Sequence, residues 1–312
     1  MTRARLDHGI ELEYEAMGTP GDDPLLLIAG LSSQLIVWPD EFCELLVAAG
    51  HYVVRFDNRD AGLSTRCEGT VDVEQVVMAA LAGGEVPVVP YLLSDMALDA
   101  VGLLDHLGIE RAHVVGASMG GMIAQMVAIE HPRRCLSLVS IMSQPGELEV
   151  GQPTPDAFAV LLAPPPRDRA EFIEGAMRTA VWHSRKYHDP ERLRREAARS
   201  YDRAFFPEGG TRQLAAIFAS GRRSTQLSQL DIPTLVIHGR DDALVDPSGG
   251  VRTAEVIPGA NLLLVAHMGH DLPEPLWPIL TDAIISHTRH ASARGAGDRR
   301  RDPMTRPIDE TD

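Results

Sequence analysis

The chain contains 312 residues, 44% of them hydrophobic, and carries a formal net charge of −15. This length and apolar content suffice for a full hydrophobic core, which excludes a chain that is disordered throughout. The negative charge argues against nucleic acid and anionic membranes as partners, because both repel an acidic protein at long range. Three scattered cysteines, Cys43, Cys67 and Cys135, are too few for a disulfide framework or a metal-binding knuckle, so no metal site is predicted.

The N-terminal segment, residues 1–17, mixes polar and apolar side chains and lacks the basic start and apolar stretch of a signal peptide. A membrane span needs about 18 consecutive apolar residues, and the sequence contains no such stretch. We therefore expect a soluble, cytoplasmic protein that binds neither membranes nor nucleic acid. The sequence pattern leaves its oligomeric state open.

Short apolar segments alternate with helical patterns along most of the chain. The segments predict strands at residues 10–14, 25–29, 52–56, 113–117, 136–142, 234–238 and 262–265. Apolar residues at helical spacing predict helices at residues 39–49, 73–81, 95–107, 119–131, 247–256 and 273–290. Because the strand segments are continuously apolar, both faces of the sheet should be covered by helices, as in the mostly parallel sheet of an α/β fold.

Strand signals vanish between residues 144 and 228. Helix starts such as Thr154-Pro155 and Asp189-Pro190 take their place. We predict a cap of about four helices, residues 144–228, inserted into an α/β core made of residues 1–143 and 229–290. The cap holds eight aromatic residues, which suit either a lid over an apolar pocket or the packing of small helices on one another.

Residues 291–312 form the last segment of the chain, and their composition is strongly polar. Such a segment has too few apolar side chains to offset the entropy lost on ordering. We therefore predict a disordered tail over residues 291–312.

The most informative motif is the sequence Gly-Ala-Ser-Met-Gly at residues 116–120, which matches G-x-S-x-G. It stands between a predicted strand and a predicted helix, where the pattern is typical of a nucleophile elbow. On this tight turn Ser118 adopts a strained backbone conformation, and the small residues Gly116 and Gly120 avoid clashes with it. The turn exposes the serine hydroxyl beside the free N–H groups at the start of the next helix.

A serine hydroxyl needs an adjacent base, usually a histidine that a carboxylate orients. In the strand–elbow–helix arrangement the chain order is serine, then acid, then histidine. Asp242 follows the strand at 234–238 and is our choice for the acid, with Asp241 as a solvated neighbour. His270 follows a glycine after the last strand and is our choice for the base, with His267 as the alternative.

The turn after the strand at 25–29 should supply a second donor for an oxyanion. We predict that the N–H groups of Leu31 and Met119 form the oxyanion hole. The same turn and the loop that follows it should line the substrate pocket through Gly30, Ser32 and Trp38. From the cap, we expect Trp182 to line the pocket as well.

The charged, turn-rich segment 57–64 follows the next strand. It could act in function, but we favour a structural interpretation. In that interpretation Asp57 and Arg59 form a pair, and together with Gly62 they brace the loop beneath the site.

Together these features resemble the α/β-hydrolase superfamily with a helical cap, over roughly residues 5–290. Within that superfamily, several motifs look like the aclacinomycin methylesterase group of serine esterases: Trp-Pro-Asp-Glu-Phe at 38–42, Arg-Phe-Asp-Asn-Arg-Asp at 55–60 with Gly62 and Ser64, Tyr91 with Asp-Met-Ala at 95–97, and Met-Gly-His at 268–270. The resemblance implies a Ser118, His270 and Asp242 triad, an oxyanion hole of Leu31 and Met119, and ester hydrolysis without a cofactor. The substrate does not carry over, because the cap is the least similar region.

We therefore expect a serine hydrolase that cleaves a carboxylic ester of a small apolar molecule through an acyl-enzyme. Two other reactions use the same triad: hydrolysis of a carbon–carbon bond, and the reactions of cofactor-free haloperoxidases and perhydrolases. A small-molecule receptor built on the same fold is the alternative from another class. A serine at the elbow argues against epoxide or haloalkane hydrolysis, which use an aspartate nucleophile in this fold.

Overall fold

The structure, a computed structural model, describes residues 2–299, with side chains as far as residue 294. Within this part of the chain, eight strands form one sheet in the order β1-β2-β4-β3-β5-β6-β7-β8. Their bounds are β1 (Thr2–Arg5), β2 (Glu11–Met17), β3 (Asp23–Ile28), β4 (His51–Phe56), β5 (Ala112–Ala117), β6 (Cys135–Ile141), β7 (Thr234–Gly239) and β8 (Asn261–Val265). The strands from β3 to β8 run parallel, while β1 and β2 are antiparallel to their neighbours. The predicted α/β class with a mostly parallel sheet is confirmed.

Helices cover both faces of this sheet, as the continuous apolarity of its strands requires. Successive strand residues point to opposite faces, so Leu26 and Val114 pack in one core cluster and Leu25 and Val115 in the other. The first cluster includes α3 (Leu93–His106) and α4 (Met119–Glu130), and the second includes α1 (Asp40–Ala48) and α11 (Trp277–Arg299). The helices α2 (Val73–Leu81) and α10 (Pro247–Val256) have the bounds that the sequence predicts.

The first strand, β1, was not expected from the sequence. Its residues Thr-Arg-Ala-Arg show no apolar run, yet they pair with β2 at the edge of the sheet, with Arg5 opposite Glu11. An edge strand can carry charged side chains because one side of it faces solvent. Its hydrophobic signal is therefore weak.

Between β6 and β7 the chain forms four longer helices and one single-turn helix. These are α5 (Pro155–Leu161), α6 (Arg169–Arg178), α7 (Pro190–Arg203), α8 (Pro207–Ser220) and α9 (Ser224–Leu227). The proposed boundaries of the cap fall in the loops before α5 and after α9. Three cap aromatics, Phe172, Tyr201 and Phe205, pack on one another with ring centroids 4.6 to 6.1 Å apart. These three side chains therefore stabilise the cap helices.

The start of the predicted disordered tail is wrong. Helix α11 continues through residues 291–299, the side chain of Ala291 is buried, and Ser292 Oγ donates a hydrogen bond to Asp23 Oδ2 (2.8 Å). Extending an existing helix costs far less than starting one, and these two contacts hold the extension against the core. Residues 300–312 of the predicted tail lie outside the described residues. None of the described helices is long and apolar enough to span a membrane.

Candidate active site

Ser118 lies on a sharp turn between the end of β5 and the start of α4. Its backbone angles, φ 57° and ψ −122°, fall in a region that non-glycine residues seldom adopt. A Cβ atom at Gly116 would overlap the carbonyl of Gly120, and one at Gly120 would overlap the carbonyl of Ile28. Only glycine fits both positions, because the strand, turn and helix approach each other so closely. The local geometry is thus that of the elbow expected from the sequence.

Two other side chains join Ser118 in a continuous line of hydrogen bonds. Ser118 Oγ lies 2.9 Å from His270 Nε2, and His270 Nδ1 lies 2.7 Å from Asp242 Oδ2. Since an ionised carboxylate only accepts hydrogen bonds, Nδ1 of His270 carries a proton and Nε2 is free to accept one from Ser118. His270 and Asp242 follow β8 and β7, so the ends of three parallel strands bring the three groups together.

Asp242 is held in an ionised state although its side chain is fully buried. Burial by itself raises the pKa of Asp242, but the charge of His270 and hydrogen bonds from His238 and His270 outweigh burial and lower it to about 2. The second oxygen, Oδ1, accepts hydrogen bonds from the N–H groups of Leu244 and Val245 (both 2.9 Å). These amides fix the direction in which the carboxylate faces His270.

The two alternative residues lie outside this line. Asp241 and His267 are both exposed to solvent. The N–H of Asp241 donates a hydrogen bond to the carbonyl of Met268 (2.9 Å), which ties the two loops together. His267 has a φ of 65° and forms the turn that leads toward His270. Both residues therefore shape the loops that carry the site.

The turn after β3 lies directly beside the serine. A Cβ atom at Gly30 would lie 3.3 Å from the Cβ of Ser118, so the backbone of this turn approaches the hydroxyl closely. The N–H of Leu31 donates to no protein atom of the described residues. Met119 is the first residue of α4, so its N–H has no partner within the helix. Both amides are available to a negatively charged oxygen near Ser118.

The four residues predicted to line a pocket have different surroundings. Gly30 lies against Ser118, and the carbonyl of Trp182 accepts a hydrogen bond from the N–H of His270 (2.7 Å). The N–H of Ser32 faces the cap and donates to Gln213 Oε1 (2.8 Å). Trp38 requires a correction, because its side chain is fully buried in the core and packs on a helix-α1 phenylalanine with ring centroids 5.8 Å apart. It supports the sheet and presents no exposed surface to a substrate.

The predicted pair of Asp57 and Arg59 does not form. Asp57 Oδ2 accepts a hydrogen bond from Arg203 Nη1 (2.7 Å), and Arg203 belongs to the cap helix α7. Arg59 instead forms a two-point ion pair with Asp99 of α3 (2.6 and 2.7 Å). Asp57, Arg59 and Asp99 are buried and Arg203 is partly buried, and each charge takes the partner that packing brings within reach. The bracing role stands, with different partners, since Asp57 Oδ1 also accepts from the N–H of Leu35 (2.6 Å).

The loop that carries His270 is fastened to the cap by a residue that the sequence did not indicate. The hydroxyl of Ser184 accepts a hydrogen bond from the N–H of Gly269 (2.9 Å) and donates to Asp271 Oδ1 (2.5 Å). The N–H of Ser184 donates to the same Asp271 oxygen (2.9 Å). Ser184 is fully buried and more than 80 residues away in sequence, so no local pattern marks it.

The described residues contain no cluster of three or more histidine, cysteine or acidic side chains able to hold a metal ion. Cys43, Cys67 and Cys135 are all free thiols in this part of the chain. Burial raises the pKa of Cys43 and Cys135 to about 12, which keeps both as neutral thiols. The candidate site thus consists of a serine, a histidine, an aspartate and two backbone amides.

Comparisons with known proteins give a consistent family. Residues 23–274 match the family described as alpha/beta hydrolase fold. Rhodomycin D methylesterase DnrP of Streptomyces peucetius is 31% identical over 93% of this chain and 99% of its own length. A 2-hydroxy-6-oxononadienedioate/2-hydroxy-6-oxononatrienedioate hydrolase of a Pseudomonas species is 32% identical over 55% of this chain and 60% of its own.

Among solved structures, the enol-lactonase from Burkholderia xenovorans LB400 superposes with a TM-score of 0.69 at 21% identity, over 92% of this chain and 99% of its own. Because the identity is low, this structural similarity supports only the fold. The resemblance to α/β hydrolases, and among them to methylesterases, is confirmed by the family match and the DnrP alignment. This chain belongs to the α/β-hydrolase fold family.

Proposed function

We propose that this protein is a serine esterase that hydrolyses a carboxylic ester of a small apolar molecule. One observation carries the proposal: Ser118 Oγ, His270 and Asp242 form an unbroken line of hydrogen bonds of 2.9 and 2.7 Å at a strained elbow. Neither the histidine nor the carboxylate needs to move before proton transfer can begin. The methylesterase DnrP, which aligns over nearly the whole chain, supports ester hydrolysis as the reaction class.

The first half of the proposed reaction transfers the acyl group to the enzyme. Ser118 Oγ attacks the ester carbonyl carbon while His270 Nε2 takes the hydroxyl proton. The carbonyl oxygen gains a negative charge, which the N–H groups of Leu31 and Met119 stabilise. Asp242 stabilises the imidazolium that forms on His270. The imidazolium then donates its proton to the leaving alkoxide, and the alcohol departs.

The second half releases the acid and restores the enzyme. His270 takes a proton from a water molecule as the water oxygen attacks the acyl-enzyme carbonyl. The tetrahedral intermediate collapses, the bond to Ser118 Oγ breaks, and His270 returns the proton to the serine. The carboxylic acid leaves. No metal or organic cofactor enters these steps.

The acyl or alcohol group of the substrate would lie between the Gly30–Ser33 turn and the cap segment that begins at Trp182. The cap reaches His270 at Trp182, whose carbonyl accepts a hydrogen bond from the N–H of His270 (2.7 Å) and which is an aromatic residue only 8% exposed. Gly30 has no side chain, and a Cβ atom there would lie only 3.3 Å from the Cβ of Ser118, so the turn comes close to the hydroxyl. Close backbone on one side and a mostly buried aromatic residue on the other favour a small apolar ester over a bulky charged one.

A fluorophosphonate probe tests the proposed nucleophile. Such a reagent phosphonylates an activated serine with loss of fluoride, and intact-mass measurement followed by peptide mapping locates the adduct. We expect one adduct, on Ser118, and none in a Ser118→Ala variant. Labelling at another residue, or no labelling of the folded wild type, would rule out Ser118 as the nucleophile.

A substrate panel separates the proposal from its alternatives. It should contain short p-nitrophenyl esters and a vinylogous diketone acid for carbon–carbon hydrolysis. Acetate with hydrogen peroxide tests for peracid formation. We expect the highest kcat/KM with an ester. A higher kcat/KM on the diketone acid would favour the carbon–carbon hydrolase, and tight ligand binding without any turnover would favour a receptor.

A further inference from the structure

The turn that carries the oxyanion donor Leu31 is strained. Its four residues, Gly30–Ser33, close with a hydrogen bond from the N–H of Ser33 to the carbonyl of Gly30 (3.2 Å). Ser32, at the third position, has a φ of 57°, which marks a type II turn and normally calls for glycine. A serine in this left-handed conformation costs about 1 kcal/mol, so outside contacts must hold it there.

Gln213 of the cap helix α8 provides such a contact. Its Oε1 accepts a hydrogen bond from the N–H of Ser32 (2.8 Å), and its Nε2 donates to the carbonyl of Arg59 (2.7 Å). The side chain is fully buried, so both ends of the amide depend on these partners. One side chain therefore ties the turn after β3 to the loop after β4.

The position of Gln213 is itself fixed by its neighbours on α8. Arg212 forms a two-point ion pair with the buried carboxylate of Asp60 (2.8 and 3.0 Å). Gly210 lets the helix come close to the turn, because a Cβ atom there would overlap the hydroxyl of Ser32. The helix is thus seated on the core directly above the turn, with the amide of Gln213 aimed at Ser32.

We propose that Gln213 is a positioning residue for the oxyanion hole, holding the Gly30–Ser33 turn in the conformation that aims Leu31 N at the substrate oxygen. The inference rests on the proposed function. The bond to Ser32 N fixes the plane of the Leu31–Ser32 peptide and so helps to keep the turn closed. The closing bond from Ser33 N to the carbonyl of Gly30 in turn fixes the Gly30–Leu31 peptide plane, which carries Leu31 N. The cap then contributes to transition-state stabilisation without touching the substrate at this point.

The test replaces Gln213 by methionine, which keeps the length and volume of the side chain but removes both polar ends. Removing a single oxyanion donor from a hydrolase lowers kcat about 10²- to 10³-fold, and a displaced donor should cost less. For Gln213→Met we expect kcat on p-nitrophenyl acetate to fall about tenfold to hundredfold. KM should stay within about twofold, because the donor acts mainly on the transition state.

Gln34 offers a matched control. It is also a buried glutamine that joins a core loop to the cap, with Nε2 donating to the carbonyls of Ser200 (2.8 Å) and Ala204 (3.1 Å). It makes no contact with the N–H groups of the turn. Gln34→Met should weaken the seating of the cap to a similar degree, seen as a similar drop in Tm, while kcat changes by less than about threefold.

A second readout reports on the oxyanion hole alone. Trifluoroacetophenone forms a tetrahedral adduct with an activated serine, and its oxygen occupies the oxyanion position. Its affinity should fall in Gln213→Met by the same factor as kcat and stay nearly constant in Gln34→Met. If the wild type neither turns over p-nitrophenyl acetate nor forms this adduct, it is the proposed function that fails.

Two results would overturn the role of Gln213 while leaving the esterase assignment intact. One is a kcat within twofold of the wild type in a folded Gln213→Met variant. The other is an equal loss of kcat in Gln213→Met and Gln34→Met, since that would reflect cap docking in general. Should Gln213→Met fail to fold, Gln213→Asn, which withdraws the acceptor by one methylene, takes its place with the same criteria.

Rescue by the turn itself completes the test. Glycine adopts a φ near +60° without strain, so Ser32→Gly should lessen the need for Gln213. The double variant Gln213→Met/Ser32→Gly should have a kcat at least threefold higher than that of Gln213→Met alone. A further loss of kcat would mean that the conformation of Ser32 is not what Gln213 maintains, and would count against the proposal.

Discussion

Near each end of strand β5, a histidine lies within hydrogen-bonding distance of both a serine and an aspartate. At the carboxyl end the set is Ser118, His270 and Asp242. At the amino end, Ser137 Oγ lies 2.8 Å from Nδ1 of His113, whose Nε2 lies 3.0 Å from Oδ2 of Asp23. The two sets share residue types and have similar distances, but the ring nitrogens are exchanged: Nε2 faces the serine at the carboxyl end and the aspartate at the amino end.

Their backbone settings differ. Ser118 follows the strand, has a positive φ and lies beside two amides that donate to no backbone carbonyl within the described part of the chain. Ser137 lies inside strand β6, where it pairs with His113 next to a register shift, and both residues are fully buried. A carbonyl substrate could not reach the buried hydroxyl of Ser137. The comparison teaches that a hydrolytic serine is defined by the turn that presents it as much as by its partners.

Removing each serine hydroxyl should give the largest difference in kcat between the two ends. Ser118→Ala should lower kcat about 10⁶-fold, the size of loss expected when the nucleophile of a triad is removed. Ser137→Ala should leave kcat on p-nitrophenyl acetate within about twofold. A large loss of kcat in a folded Ser137→Ala variant, with Ser118→Ala still active, would reverse our assignment of the two ends.

Replacing the two carboxylates should give the second-largest difference in kcat. Asp242→Asn should lower kcat about 10⁴-fold, because an amide no longer selects the histidine tautomer that accepts the serine proton. Asp23→Asn should alter thermal stability but keep kcat within about twofold. Steady-state kinetics with both variants, each checked for a cooperative melting transition, decides this. Equal losses in the two variants would show that the amino end also controls turnover.

A pH titration of stability sharpens the comparison further. Burial lowers the pKa of His287, near the amino end, to about 4, below the value of about 6.5 expected in the unfolded chain. The unfolded state therefore binds the proton first, so stability is fully present above pH 6.5 and declines as pH falls toward 4. The loss should be about 3 kcal/mol at most.

The stability contribution of the carboxyl end should depend on pH in a different range. Asp242, whose pKa is lowered to about 2, favours the fold above about pH 4 and loses this contribution only as pH falls toward 2. Denaturant unfolding at several pH values between 7 and 4.5 measures this loss. In His287→Gln the free energy of unfolding should fall less steeply with decreasing pH than in the wild type. An unchanged slope would mean that His287 takes up its proton equally in both states.

The elbow and its partners were predictable because their signals are local. Gly116 and Gly120 flank the serine within the printed motif, and Asp242 and His270 each follow a strand at a short, regular distance. Parallel strands end at the same edge, so placing the residues after strands amounts to placing them in space. The whole line from Ser118 to Asp242 follows from such short segments.

The features that sequence reasoning missed depend on distant packing. Arg203 pairs with Asp57 across 146 positions, so composition alone suggested the nearer Arg59. Trp38 stands in a loop beside the site, yet its ring turns into the core beneath the sheet. Ser184 looks like an ordinary polar residue until the cap folds over the histidine loop. In each case the partner is fixed by tertiary structure.

The attachment of the histidine loop to Trp182 and Ser184 has a consequence for how such an enzyme can diversify. Exchanging the inserted segment for one that accepts other molecules would also remove the acceptors for the N–H groups of Gly269 and His270. A change in the inserted segment would therefore also act on the loop that carries His270. A graft that preserves activity has to reproduce a buried hydroxyl and a carbonyl at these two points, whatever the rest of its sequence.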